Sequence, residues 1–212
     1  MRWSQPQVFP SQVAYALWAK SYPPRAHNAF MRLEQETLSA WLPARMDGLQ
    51  ALDLACGTGR WGALLAQRGA QVISLDNSRP MLQAGVARQP IESEMSALPL
   101  ASARFDWVLC GLAVGHLTRP LLWATLAEIA RVLRGGGRAL LSDLHPFQAW
   151  NGAQRTFRHK RRTYAVEHYI HSYAVYHQAC QRLGLYIHAV AEKSLHAQTP
   201  PILLALHLQK VL

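Results

Sequence analysis

The sequence predicts an α/β fold, a sheet of short apolar strands with helices on both faces. Three observations predict it. Short apolar runs recur along the chain, segments with helical spacing separate many of them, and Gly or Pro stands where an element has to stop. That alternation is the pattern of strands that bury both faces under helices. A length of 212 residues suits one domain, and a hydrophobic fraction of 50% is enough to fill its core.

The elements follow in order. Residues 13–22 read as a short aromatic, amphipathic segment stopped by Pro23 and Pro24. Residues 28–41 carry helical spacing at Phe30, Leu33, Leu38 and Trp41, ending before Pro43. Residues 49–54 are an apolar strand, and 60–68 a helix that Gly69 stops. Residues 71–75 are the second strand. Ser78 can cap a helix over 79–86, with Pro80 in the first turn, where its missing N–H does no harm. Residues 105–110 have a buried-strand pattern, and 121–133 form a helix closed by a turn at Gly135, Gly136 and Gly137. Residues 138–142 are the next strand. Residues 155–169 read as a hairpin: a short arm near Thr156 and Phe157, a basic turn, then an arm over 163–169. A last helix over 172–183 stops at Gly184, and residues 185–190 and 202–208 are the final strands. No repeat of solenoid period and no long low-complexity tract interrupts this order.

Composition narrows the setting. No apolar run reaches the roughly 18 to 20 residues that span a bilayer. The start, Met1 to Pro6, lacks the apolar region of a signal peptide. Cys56, Cys110 and Cys180 have no metal-like spacing, and an odd count does not suggest a disulfide framework, so a reducing cytoplasm is expected. His168 and His171 alone are too few for a closed metal site, and no metal is expected. Lys and Arg number 22 against 12 Asp and Glu, a net charge of +10. Such a balance favours anionic partners: nucleic acid, acidic lipid, a phosphorylated or carboxylated substrate, or an acidic carrier protein.

Gly57, Thr58, Gly59, Arg60, Trp61 and Gly62 match G-x-G-x-x-G after a strand. Glycines there permit a tight turn and let backbone N–H groups approach a ligand at a helix N-terminus. Asp76 ends the next strand, where a carboxylate can accept both hydroxyls of a ribose. Nicotinamide, flavin and S-adenosylmethionine sites share these parts. Asp53 and the residues between it and the first glycine separate them. An acid there opposes a pyrophosphate and suits an amine-bearing cation. A dehydrogenase also needs a substrate domain for which this chain has little length, so S-adenosylmethionine is favoured over a dinucleotide.

The surrounding residues resemble a known family. Ala51, Leu52, Asp53, Leu54, Ala55, Cys56, Gly57, Thr58 and Gly59 resemble the first motif of class I methyltransferases. The likeness is to the small-molecule type, methyltransferase type 11, which includes the ubiquinone and menaquinone biosynthesis enzymes. Ser74 to Leu82 resembles the second-strand motif, Glu94 to Leu100 with Phe105 to Val108 the adenine segment and fourth strand, and Ile129 to Gly137 the turn before the fifth strand. The resemblance covers about residues 50 to 145. It implies a Rossmann-like, doubly wound sheet of seven mainly parallel strands with an antiparallel last strand, under an N-terminal helical lid. The expected layout is one domain: lid 1–45, cofactor core 46–143, substrate-side insertion 144–171, and C-terminal helix and strands 172–212.

By that resemblance the cofactor is S-adenosylmethionine. Asp53, Ala55, Cys56, Gly57 and Gly59 surround its methionine end, and Asp76, Asn77 and Met81 its ribose. Glu94, Met95 and Ser96 meet the adenine, and Cys110 and Gly111 the floor. Glu94 replaces the family's usual Asp and adds a methylene, so it must fold back or bond through water. Tyr15, Trp18 and Tyr22 of the lid could face the sulfonium by cation–π contact, or simply pack an amphipathic helix.

The acceptor is less legible. No Asn/Asp-Pro-Pro-Tyr segment follows residues 105–110, against exocyclic base amines, and no Pro-Cys pair exists for cysteine-dependent cytosine chemistry. A small molecule is therefore favoured over nucleic acid. His116 and His145 follow two strands at the sheet's carboxyl edge and are the candidate bases, each with a structural hydrogen bond as the alternative. His27, Arg158 and Arg161 are the candidate substrate contacts, the two arginines for a phosphate, a carboxylate or an acidic carrier protein. The alternatives are a cyclase or lyase that uses S-adenosylmethionine without passing on its methyl, and a basic RNA-binding or RNA-methylating protein. A monomer or homodimer is expected.

Overall fold

The computed structural model describes residues 6–212, side chains 149 and 150 excepted, so residues 1–5 of the expected lid lie outside the described residues. Strand β1 (Gln7–Phe9), helix α1 (Ser11–Trp18), a 3-10 turn (Ala19–Ser21) and helix α2 (Ala29–Ser39) precede the sheet. Asn28 caps α2, its Oδ1 accepting the Met31 N–H at 2.8 Å. Then come β2 (Gln50–Leu54), α3 (Arg60–Gln67), β3 (Gln71–Asp76), α4 (Arg79–Ala84), β4 (Pro90–Glu92), β5 (Phe105–Gly111), α5 (Arg119–Val132) and β6 (Leu133–Leu144). Helix α6 (Phe147–Trp150), β7 (Arg155–His159), β8 (Arg162–Val166), α7 (Tyr173–Arg182), β9 (Leu185–Lys193) and β10 (Leu203–Lys210) complete the chain.

Seven strands form one sheet in the order β4-β3-β2-β5-β6-β10-β9, parallel except that β10 runs antiparallel to both its neighbours. Side chains alternate between two cores. Ala51, Trp107, Leu109, Leu140 and Ala205 pack with Leu38, Trp61 and Leu65 of α2 and α3 on one face. Leu52, Leu54, Val108, Leu141, Leu204 and Leu206 pack with Leu122, Leu126 and Ile129 of α5 and with Ala179 of α7 on the other. Burial on both faces is why these strands read as continuous apolar runs. No helix among the described residues is long and apolar enough to cross a membrane.

Several elements depart from expectation for identifiable reasons. The turn expected at Gly135, Gly136 and Gly137 lies inside β6. Leu133 pairs with Phe105 and Arg138 with Trp107, so the strand bulges, and Gly136 takes φ +76°. Helix α4 stops at Ala84, before Val86: Gly85 turns extended at φ −119°, ψ −156°, so close to Thr58 that a Cβ there would stand 2.1 Å from its carbonyl oxygen. The short β4 starts on Pro90 at the sheet edge, where a missing N–H is tolerated. Strand β1 was not foreseen. It pairs in parallel with β8, and β8 pairs with β7, making a small second sheet that roofs the carboxyl edge of the large one. Its core is Ala14, Phe157 and Val166, with Phe9, Tyr15, Trp18 and Tyr164 packed around them.

Candidate functional site

The chain leaves β2 toward β3 and β4 on one side, then returns to β5 on the other. The crevice at the carboxyl ends of β2 and β5 is therefore a topological switch point, where open α/β sheets bind ligands. A cavity of about 400 Å³ lies there, within the range of small-molecule sites. The glycine loop, Asp53 in β2, Asp76 at the end of β3, Glu94 after β4, the aromatic lid and the base of the β7–β8 hairpin all line it.

The loop is held from below. Asp76 Oδ2 accepts the Gly57 N–H at 2.7 Å and its Oδ1 accepts the Ser78 N–H at 2.8 Å. Each oxygen keeps acceptor capacity for a further donor. Ala55 sits in the left-handed region at φ 54°, a strained position for a residue with a Cβ. Asp53 Oδ2 accepts the Gly62 N–H at 2.6 Å in the first turn of α3. Burial pushes the Asp53 carboxyl up from 3.8 to about 7, with the Gly62 bond working in the opposite sense. An acid held this close to neutrality is stabilised as a carboxylate by any cation brought beside it.

Glu94 is held by its neighbour Asn77. Asn77 Nδ2 donates to both its oxygens at 3.2 Å, so the two side chains form one wall of the cavity. Ala55, Cys56, Gly57, Met81, Met95 and Gly111 line the cavity with them. Three expected contacts do not. Gly59 turns away at φ 82°, where a Cβ would meet Ala87 N at 2.5 Å. Ser96 is not among the lining residues, and Cys110 alternates into the core below. Cys110 missed the cavity by strand parity: side chains of β5 alternate, and its neighbour Gly111 takes the exposed side.

Tyr15, Trp18, Tyr22 and His27 line the cavity and also pack on one another. Trp18 stacks on Phe157 at 5.2 Å, Tyr22 stands edge-on to Trp18 at 4.9 Å, and His27 edge-on to Tyr22 at 5.3 Å. Packing and cavity wall are thus one arrangement.

The two candidate bases end differently. His116 lines the cavity, but its Nε2 stands 2.9 Å from Arg155 Nη1 and 3.0 Å from the Tyr15 hydroxyl, while Nδ1 meets Glu167 O at 3.0 Å. A carbonyl only accepts and a guanidinium only donates, so the proton sits on Nδ1 and the Nε2 lone pair is occupied. Burial, followed by the Arg155 charge, pushes His116 down to about 3. In this arrangement it accepts as a neutral ring, where the sequence offered it as a base. His145 is absent from the cavity lining. It accepts the Phe147 N–H at 3.1 Å and meets Glu192 Oε1 at 3.0 Å, a structural role.

The hairpin shifts the arginine assignment as well. Arg158 and Arg161 are exposed at its tip and away from the cavity lining, with Lys160 and Arg161 forming a turn of positive φ. Arg155, at its base, reaches the cavity. The sequence shows Arg155 only as the first residue of the expected hairpin, because no local pattern reports which cation a hairpin aims inward.

A second omission lies on α2. Its buried face is Met31, Glu34, Thr37 and Leu38; of the stripe expected at Phe30, Leu33, Leu38 and Trp41, Leu38 is buried and the other three are half-buried. Glu34 is fully buried, 2.8 Å from Arg60 Nη2, and accepts from Trp61 Nε1 at 3.1 Å and Ser142 Oγ at 2.9 Å. Arg60 and Trp61 line the cavity, and the Arg60 guanidinium lies 4.8 Å from the Trp61 ring. A Cβ at Gly111 would come within 2.6 Å of both Trp61 Nε1 and Glu34 Oε1, so glycine is required there.

Residues 51–137 match a family model described as a methyltransferase domain. The biotin biosynthesis bifunctional protein BioHC of Cellvibrio japonicus is 38% identical over 112 residues, 50% of this chain and 22% of that protein. The malonyl-[acyl-carrier protein] O-methyltransferase of Enterobacter lignolyticus is 34% identical over 155 residues, 68% of this chain and 61% of that protein. The chain thus spans less than two thirds of either relative. The crystal structure of magnesium protoporphyrin IX methyltransferase from Synechocystis PCC 6803 with bound S-adenosylmethionine superposes with a TM-score of 0.67 at 21% identity. That match covers 94% of this chain and 92% of the other.

Proposed function

We propose that this chain is a class I S-adenosylmethionine-dependent methyltransferase and transfers the methyl of S-adenosylmethionine to a small molecule in the cavity. One observation carries this reading. Asp53 inside β2, Asp76 at the end of β3 and Glu94 just past β4 belong to three adjacent parallel strands, and all three line one cavity beside the glycine loop. The donor set fits the ligand. Asp53 would meet the ammonium, Asp76 has acceptor capacity left for the ribose hydroxyls, and the Asn77–Glu94 wall would meet the adenine amine. Ala55, Gly57 and Gly111 leave room for the backbone to approach, and the lid rings supply π faces for a sulfonium.

When bound, S-adenosylmethionine would supply an electrophilic methyl on a sulfonium, for an acceptor lone pair to take as the sulfur leaves as a neutral thioether. The chain's residues hold the two molecules in line and exclude water, and proximity supplies much of the rate. The lid and hairpin close the crevice from above, and Tyr15, His116 and Arg155 border its β5 side.

We read the acceptor as small and anionic, delivered by an acidic carrier protein. The net charge of +10 supports this, as do the exposed Arg158, Lys160, Arg161 and Arg162, which form no ion pair among the described residues. One relative acts, by its name, on malonyl-[acyl-carrier protein].

Calorimetric titration with S-adenosylhomocysteine tests the donor site. Asp76→Ala weakens binding at least tenfold, while Asp106→Ala, outside the cavity lining, leaves it within twofold. Equal affinities of the two variants would sink the assignment.

A further inference from the structure

Among the described residues, two permanently cationic side chains line the cavity, Arg60 and Arg155. The first is already matched. Arg60 Nη2 lies 2.8 Å from the Glu34 carboxylate and Nη1 donates to Gln35 at 3.2 Å. Arg155 hydrogen-bonds only to neutral groups, all through Nη1: Leu112 O at 2.6 Å, His116 Nε2 at 2.9 Å and the Tyr15 hydroxyl at 3.3 Å. Its Nε and Nη2 make no hydrogen bond among the described residues.

One carboxylate is in ion-pair range. Asp143 Oδ1 stands 3.8 Å from Nη2, beyond hydrogen-bonding distance. Asp143 does not depend on that contact. It accepts from Gly115 N at 2.5 Å and Leu144 N at 2.7 Å, and meets His168 Nε2 at 2.9 Å. Nor is Asp143 among the residues that line the cavity. The acid is therefore satisfied by its own neighbours, whereas a mostly buried guanidinium keeps two donor nitrogens open. Nε and Nη2 form the edge that matches the two oxygens of a carboxylate. The hydrogen bonds on Nη1 and the β7–β8 pairing hold that fork in place before any ligand arrives.

Position decides which ligand it serves. Asp53, Asp76 and Glu94 belong to the β2–β4 half of the cavity. Arg155 is tied to Leu112 and His116, which follow β5 on the other side of the switch point. We propose that Arg155 binds a carboxylate of the molecule that receives the methyl group, making carboxylic acids the acceptor class. The proposal rests on the methyltransferase reading above and adds the chemistry of its second ligand.

The test uses the full chain saturated with S-adenosylhomocysteine and two probes of one shape, benzoate and benzamide, followed by ligand-observed NMR. Benzoate is expected to bind at least tenfold more tightly than benzamide, and Arg155→Gln to remove that preference. Arg155→Lys, which keeps the charge without the fork, is expected to fall between the two and serves where the Gln variant does not fold. Equal binding of the two probes to the wild-type chain overturns the proposal, as does a preference that survives Arg155→Gln.

A second arm separates the source of the carboxylate. S-adenosylhomocysteine carries one and methylthioadenosine does not. If Arg155→Gln weakens the first nucleoside tenfold and leaves the second unchanged, the residue serves the donor and the acceptor assignment falls. Failure of the wild-type chain to bind S-adenosylhomocysteine counts against the methyltransferase reading instead.

Discussion

Replacing Glu34 by Gln changes few atoms and disturbs a whole corner of the cavity. The carboxylate is fully buried and surrounded by donors: Arg60 on Oε2, Trp61 Nε1 and Ser142 Oγ on Oε1. An amide presents N–H₂ at one end, so either orientation sets donor against donor. Breaking a buried ion pair by neutralising one partner costs about 3–5 kcal/mol. Arg60 keeps Gln35 and its place against the Trp61 ring, which brings the expected loss to about 2–3 kcal/mol. For a chain of this size each kcal/mol lowers the melting temperature by about 2–4 °C, so the drop is about 4–12 °C. Urea denaturation followed by circular dichroism measures it. Adding Arg60→Met to Glu34→Gln should restore at least about 1 kcal/mol, because the stranded charge leaves with it. A loss below about 1 kcal/mol, or no rescue by the second substitution, refutes the account of this network.

Two pH-dependent outcomes follow from the buried groups. Asp53 has its carboxyl raised by burial from 3.8 to about 7, so the folded chain holds a proton there that the unfolded chain releases. That contribution is full below about pH 4 and is lost as pH rises through about 7, a ceiling of about 4 kcal/mol. Asp53→Asn removes it, so the variant's melting temperature relative to wild type should climb between pH 4.5 and pH 8. A constant difference across that range contradicts the shift. His116 is lowered from 6.5 to about 3 by burial and then by Arg155, so its contribution is present above pH 6.5 and lost as pH falls toward 3. Its imidazole resonances should stay unmoved from pH 5 to pH 8 in NMR spectra. A midpoint inside that window would return His116 to consideration as a base.

Much of the architecture was legible because it repeats local signals. The strands at 50–54, 71–76 and 105–111 are apolar runs buried on both faces, and period and length alone identify them. The glycine loop and the acids at Asp53 and Asp76 lie close together in sequence, so their spacing carries their placement. The hairpin was visible as two arms around a basic turn, and Lys160 and Arg161 do form that turn.

Partnerships between distant segments were not legible. Glu34 reads as a solvent-facing acid on an amphipathic helix, and only the packing of α2 against Ser142 and Arg60 makes it a buried ligand of both. The small sheet that roofs the cavity joins β1 to β8 across more than 150 residues, and no local pattern announces such a pair. By itself the sequence determined the sheet, the glycine loop and the acids beneath it, because those depend on spacing along one segment. Tertiary structure alone decided that Arg155 rather than Arg158 or Arg161 lines the cavity, and that His116 Nε2 stands against its guanidinium. A side chain's direction and its charge state depend on what the fold brings against it, and those neighbours come from the far end of the chain.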